Sequence, residues 1–373
     1  MVYCQVNKIQ SRIRCMKMMD CVHLHPKQMT GDIRGKRMID VEQNEFLDIS
    51  TLQTLAEQAM AQYPKNYQGQ IKLLCQSENA TFVVRTEYAR YALRLHRPNY
   101  HNKQNIESEL HWLDALTQSG IAVPQAILSE QGERVLTLRL TDDTTRYAVL
   151  FNWVEGDMPT TDVNPTAFQQ LGQITAKLHR HSKTWQMPQH FDRIIWNFET
   201  MLGADGHWGD WRNAPHLHAK DHGIVKEAIH CIGQNLANFG KTSDRYGLIH
   251  ADLRLTNLLL QNNQIGVIDF DDCGMSWFMH DLAAAISFNE HLAPAPQWVD
   301  NWIEGYEREA HISNEEYALI PTFIMQRRIQ MMAWVGSHAQ TEMALSLGTD
   351  WANHTVRLCK KYMNHQQLPV GAA

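Results

Sequence analysis

The chain reads as an α+β protein of two lobes: a small lobe built on an antiparallel sheet, followed by a larger, mainly helical one. Three observations predict this. Short runs between residues 71 and 151 alternate as strands do, residues beyond 160 recur at helical spacing, and Asn152-Trp153-Val154-Glu155-Gly156-Asp157-Met158-Pro159 between them follows neither period, as a hinge would. A chain of 373 residues with 44% apolar content can bury a large core. Residues 46–152 are therefore assigned to the smaller lobe and 153–365 to the larger.

Residues 1–45 stand apart. Positions 1–40 carry eight Lys and Arg against three Asp and show no period, so this stretch is expected to be a disordered extension or to precede the natural start. Residues 46–62 have helical spacing, ended by Tyr63-Pro64. Strands are expected at 71–74, 81–85 and 91–95, then at 134–140 and 147–151. Between the two groups, residues 103–118 form a helix with Ile106, Leu110, Leu113 and Leu116 in one stripe, stopped by Gly120. Beyond the hinge, helical periods recur at 167–181, 224–239, 280–289, 296–310 and 315–346.

Glu109 falls inside that apolar stripe, whereas Glu107 and Asp114 point away from it. A carboxylate on an inward face is costly unless paired, and Arg94, on the strand at 91–95, is the expected partner. The pair could grip phosphate, as a strand lysine and helix glutamate do in protein kinases. Arginine in place of lysine offers a bidentate but bulkier fork.

The densest chemistry lies at Leu248-Ile249-His250-Ala251-Asp252-Leu253-Arg254-Leu255-Thr256-Asn257, followed by Ile268-Asp269-Phe270-Asp271. An H-x-D-x-x-x-x-N loop and a D-F-x turn supply a carboxylate to orient an attacking hydroxyl and oxygen ligands for magnesium, the requirements of phosphoryl transfer. Asp252 would be the base, with Asn257 and Asp269 holding metal. The apolar runs 258–260 and 265–268 would pair around 261–264 and return Asp269 to Asn257.

Other classes are disfavoured. A net charge of -6 offers no positive face for nucleic acid or an anionic membrane. No window approaches a membrane span or a secretory signal, and the seven cysteines form no C-x-x-C pair, so a cytoplasmic protein with reduced thiols is expected. Gly240-Lys241-Thr242 resembles part of a P-loop, but Gly240 would end a helix that a P-loop must open. Neither H-E-x-x-H nor G-x-S-x-G occurs.

Four motifs in order resemble the aminoglycoside phosphotransferase and choline kinase family, small-molecule kinases with the protein-kinase-like fold. They are Leu171-Gly172 with Ala176 and Leu178-His179; His250-Ala251-Asp252 through Asn257; Ile268-Asp269-Phe270-Asp271-Asp272; and Asp281-Leu282-Ala283. The resemblance covers roughly residues 50–345 and departs at Ala251, where glycine is usual, and at 76–80, which lacks glycine. It implies that Asp252 is catalytic, that Asn257 and Asp269 bind Mg2+, and that Asp281 and His250 support the catalytic loop. Ser77 and Asn79 would cover ATP, Arg94 with Glu109 would bind its phosphates, and backbone around Phe151 and Trp153 would meet adenine. The acceptor would be a hydroxyl on a small polar metabolite such as homoserine, an amino alcohol or an aminocyclitol. Asp271, Asp272, Asp300 and Glu304 are candidates to meet its amine, and tryptophans beyond residue 150 to form an aromatic cage. A Ser/Thr protein acceptor and a nucleotide-binding pseudokinase are the alternatives.

Overall fold

The computed structural model describes residues 47–76, 78–140, 144–160, 164, 166–204, 206–262, 264–364 and 368–371; the extension at 1–45 and Ser77 lie outside them. Helix α1 (Ile49–Met60) begins at Asp48, whose side chain accepts from the Thr51 amide at 3.0 Å. It buries Leu52, Leu55, Ala56, Ala59 and Met60. Beside it runs a sheet of five described strands, β1 (Gln70–Gln76), β2 (Ala80–Arg85), β3 (Arg90–Leu95), β4 (Leu136–Arg139) and β5 (Thr145–Asn152), ordered β1-β2-β3-β5-β4 and antiparallel throughout.

Strand alternation divides the core in two. Ala148 and Leu150 of β5 pack with Phe82, Leu93 and the α1 face. Val149 and Phe151, one residue out of step, join the cluster that holds Ile106, Leu110, Leu113 and Leu116 of helix α2 (Lys103–Gln118). Arg94 sits on the central strand opposite Thr81 and Val149. Asn102 and Asn105 cap α2 reciprocally. Its outer acids Glu107 and Asp114 are both taken by Arg134, at 2.6 and 2.8 Å.

The helical part holds α3 (Ala167–Thr184), α4 (Phe198–Leu202), α5 (His222–Phe239), α6 (His280–Ala285), α7 (Ala295–Glu307), α8 (Asn314–Ser337), α9 (Glu342–Ser346) and α10 (Trp351–Met363). Two small antiparallel pairs sit among them: β6 (Tyr246–Ile249) with β9 (Gly274–Trp277), and the hairpin of β7 (Leu258–Gln261) with β8 (Gln264–Val267). Gly240 ends α5 with φ +74°, in keeping with a C-cap rather than a P-loop.

Two expectations need correction. The helix at 315–346 is two, because α8 ends at Ser337 and the Thr341 side chain caps α9. The segment at 280–289 is helical only to Ala285, before Phe288 turns to φ +71°. The β6/β9 pair and α10 were not anticipated. α8 is buried on nearly every side from Thr322 to Ala333, which explains why its period gave no clear end.

The helices α3 and α7 cross backbone to backbone. A Cβ on Gly172 would stand 2.0 Å from the Trp302 carbonyl oxygen, and one on Gly305 would stand 1.9 Å from that of Gln169. This is the physical content of Leu171-Gly172 in the first motif: only a missing side chain lets the helices meet. Gly172→Ala is expected to lower unfolding free energy by about 3 kcal/mol through forced separation of the helices. Urea denaturation would read it, and an unchanged midpoint would contradict the close crossing. No described helix is long and apolar enough to cross a membrane.

Candidate active site

Strand β6 delivers His250, Ala251 and Asp252 to the floor of a cleft. Their backbone is fixed by Asp281 at the start of α6. One Asp281 oxygen accepts from the Ala251 amide at 2.8 Å; the other accepts from the His250 amide at 3.2 Å and pairs with His179 Nε2 of α3 at 3.0 Å. Burial works to raise the Asp281 carboxyl, but the His179 hydrogen bond and the surrounding histidines hold it below its ordinary value. Ala251 adopts φ +67°, the left-handed region where a Cβ costs about 1–2 kcal/mol, which accounts for the usual glycine. His250 Nε2 meets the Ile268 carbonyl oxygen at 3.1 Å and so ties this loop to the strand before Asp269.

The β7/β8 hairpin returns the chain as its spacing predicts. The Ile268 amide donates to the Asn257 carbonyl oxygen at 3.0 Å, and the Asn257 side-chain amide donates to the Asp252 carbonyl oxygen at 2.8 Å. Asp252, Asn257 and Asp269 thus share one wall. Asp269 is exposed, yet the protein packed around it and then the charges of Asp271 and Asp252 raise its carboxyl above the ordinary value. A carboxylate crowded by like charges and a side-chain amide with its nitrogen already engaged suit a hard cation that takes oxygen ligands. Among the described residues, no group of three or more His, Cys, Asp or Glu could hold a metal by itself. A cation here would depend on phosphate and water to complete its shell.

Close enough to Asp269 for its charge to act there, Arg94 Nη2 meets both oxygens of Glu109 at 2.8 and 2.7 Å. The guanidinium is buried, lies 5.0 Å from the Phe151 ring centre and has Asp271 Oδ1 at 3.9 Å from Nη1. Asp271 is therefore part of the arginine's setting. Burial tends to raise the Asp271 carboxyl, but His101, His96 and Arg94 hold it well below the usual carboxylate range. Asp272 takes the Tyr100 hydroxyl at 2.6 Å and is pushed up to about 8 by burial and the Glu78 charge.

Other expected residues have the following neighbours. Asn79 Oδ1 accepts from the Arg97 amide at 2.9 Å, which anchors the β1–β2 loop to the end of β3. Its neighbour Glu78 reaches α8, accepting from Trp334 Nε1 at 2.7 Å. The Trp153 ring carries Arg90 at 4.9 Å. Asp300 is exposed on α7, and Glu304 is bound to Arg308 and Gln169 at 2.7 and 2.8 Å, so neither joins the cleft. Trp112, Trp196, Trp277 and Trp302 are wholly buried core residues.

Two arginines went unrecognised in the sequence. Arg254 donates to Asp252 Oδ2 from Nε and Nη2 at 3.2 and 3.1 Å, and Arg327 of α8 donates to Oδ1 from Nη2 at 2.8 Å. Arg254 lay inside the motif, two residues from Asp252. For Arg327 the only signal was Arg327-Arg328 within an apolar helix, a place where charge needs a partner.

Comparison with known proteins adds the following. The phosphotransferase enzyme family matches residues 73–318. The structure of a microcompartment-associated aminopropanol kinase is 37% identical, covers 84% of this chain and 98% of its own, and superposes with a TM-score of 0.78. An amicoumacin kinase solved with AMP-PNP, Ca2+ and Ami shares the fold at 22% identity and TM-score 0.68, covering 85% of this chain and 94% of its own. A homoserine kinase of Gluconobacter oxydans (strain 621H) is 26% identical over 267 residues, 68% of this chain and 78% of that protein.

Two expected outcomes follow from the buried charges. Glu109→Ala strands the Arg94 guanidinium and is expected to cost about 3–5 kcal/mol in chemical denaturation; a loss below about 1 kcal/mol would mean the pair is not the anchor of the cleft. His280, wholly buried on α6, is pushed down to about 3 by burial and then by the Arg327 charge, from an ordinary 6.5. The unfolded chain protonates it first, so the stability this group confers is present above about pH 6.5 and is lost as pH falls toward 3. Between about pH 7 and 5 it accounts for about 2 kcal/mol. Urea unfolding of His280→Gln at both pH values should show a smaller loss by that amount.

Proposed function

The chain belongs to the phosphotransferase enzyme family as a small-molecule kinase, and we propose that it transfers the γ-phosphate of ATP, with Mg2+, to the hydroxyl of a small amino alcohol or amino acid alcohol. The observation that carries this reading is the shared wall of Asp252, Asn257 and Asp269, with Arg94 of the Arg94–Glu109 pair near enough for its charge to act on Asp269. Phosphoryl transfer asks little covalent chemistry of a protein; position and charge do the work.

In this reading, Asp252 accepts a hydrogen bond from the acceptor hydroxyl and aims its oxygen at the γ-phosphorus, taking the proton as the new bond forms. Asn257 and Asp269 would hold Mg2+, which neutralises phosphate charge when bound. Arg94, kept in place by Glu109, presents its remaining N–H groups to phosphate oxygens. Asp281 acts through the backbone of His250 and Ala251, keeping Asp252 at the cleft floor. The amine on the acceptor is suggested by the acceptor named for the aminopropanol kinase, and by Asp272 and Glu78, two acids in the surroundings of Asp252.

Purified protein with ATP and Mg2+ would be offered 1-amino-2-propanol, L-homoserine, choline and amicoumacin, with ADP release as the readout. Turnover of at least one amine-bearing acceptor is expected. Asp252→Ala should lower kcat by about 10²- to 10⁴-fold with little change in nucleotide affinity. Tight ATP binding with no turnover of any acceptor would instead favour a protein substrate or a binding role.

A further inference from the structure

The geometry points to Arg327 as a positioning residue for the transfer, one that holds Asp252 by a single oxygen and leaves the other for the acceptor hydroxyl. This rests on Asp252 being the base, as proposed above. Each oxygen of Asp252 meets a different arginine, and the two arginines are not equivalent.

Arg327 is 2% exposed, and every one of its nitrogens is committed. Nε donates to Ser287 Oγ at 3.0 Å, Nη1 to Gln330 Oε1 at 3.2 Å, and Nη2 to Asp252 Oδ1 at 2.8 Å; the Trp208 ring lies 5.4 Å from its guanidinium carbon. A planar fork held at two corners can present the third in only one direction. Arg254 belongs to the catalytic loop itself, its side chain is 26% exposed, and its distances to Oδ2 are longer, at 3.1 and 3.2 Å. Oδ1 therefore has one buried, fixed partner, whereas Oδ2 is held by the displaceable Arg254 and, at a longer 3.4 Å, by the Asn257 side-chain amide.

An entering hydroxyl needs one carboxylate oxygen within about 2.6–3.2 Å. Taking Oδ2 displaces an arginine that already reaches solvent. Taking Oδ1 would break a buried pair and leave a guanidinium without its anion, a far costlier exchange. Arg327 thereby selects which oxygen works and stops the carboxylate from rotating. Because misplacement of a reacting group by about 1 Å can cost 10²-fold in rate, the effect belongs in kcat. Arg327 touches no reacting atom in this scheme.

The test uses Arg327→Met, Arg327→Lys and Ser287→Ala in the full chain, assayed with the acceptor found in the screen and, without acceptor, as slow ATP hydrolysis. Rates are scaled to the nucleotide-binding fraction, so that loss of folded protein does not count. Arg327→Met is expected to lower kcat by about 10- to 100-fold with KM for ATP within about twofold of wild type. Arg327→Lys should recover part of that loss, and Ser287→Ala, which frees one corner of the fork, should lose a few-fold in kcat alone. Equal kcat in Arg327→Met overturns the inference, as does Lys behaving no better than Met, or a rise in acceptor KM with kcat intact. If Arg327→Met does not fold, the split between kcat and KM in Ser287→Ala decides. Asp252→Asn is run in parallel: an active Asp252→Asn removes the base assignment itself, whereas an inactive one with an unaffected Arg327→Met removes only the role given to Arg327.

Discussion

The carboxylate of Asp281 is the contact on which the rest depends. It is fully buried, and an anion there is tolerable only because the His250 and Ala251 amides and the His179 ring surround it. Through those partners one side chain joins α3, the end of β6 and α6. It also compensates the left-handed backbone at Ala251, which has no glycine to relieve it. Without that anchor, Asp252 would have no fixed origin from which to be aimed.

From that origin the cleft is organised by charges held close together and differently occupied. Asp271, flanked by Arg94 and two histidines, keeps its charge; Asp269 and Asp272, crowded by other acids, resist ionisation. Carboxylates a few residues apart in one turn are thus pushed in opposite directions by their neighbours. The first is held by fixed cationic neighbours, and the second pair lacks them. The same contrast separates the arginines, since Arg94 and Arg327 are buried and tethered while Arg254 stands at the solvent edge.

Most of the architecture and much of the cleft were legible in the residues. Helix α2 and the strands around it follow from short-range periods, and Glu109 announced itself as an acid among Ile106, Leu110, Leu113 and Leu116. The hairpin between Asn257 and Asp269 was readable because its partners lie close in the chain. The β6/β9 pair was not, since four-residue strands containing Gly247 and Gly274 carry no alternation and find each other across a long gap. The amphipathic face of α7 left the place of Asp300 and Glu304 open until their neighbours were known.

By itself, the sequence determined the fold class, the family and the motifs that hold Asp252, Asn257 and Asp269, because periodicity, turn chemistry and motif spacing are local properties of the chain. Only the tertiary structure decided what surrounds Asp252. Arg327 lies 75 residues from it, on a helix buried on nearly every side, and Gly172 matters because Trp302 stands against it. Such facts depend on which surfaces meet, and an arginine or a glycine carries no mark of its distant neighbour until the chain has folded.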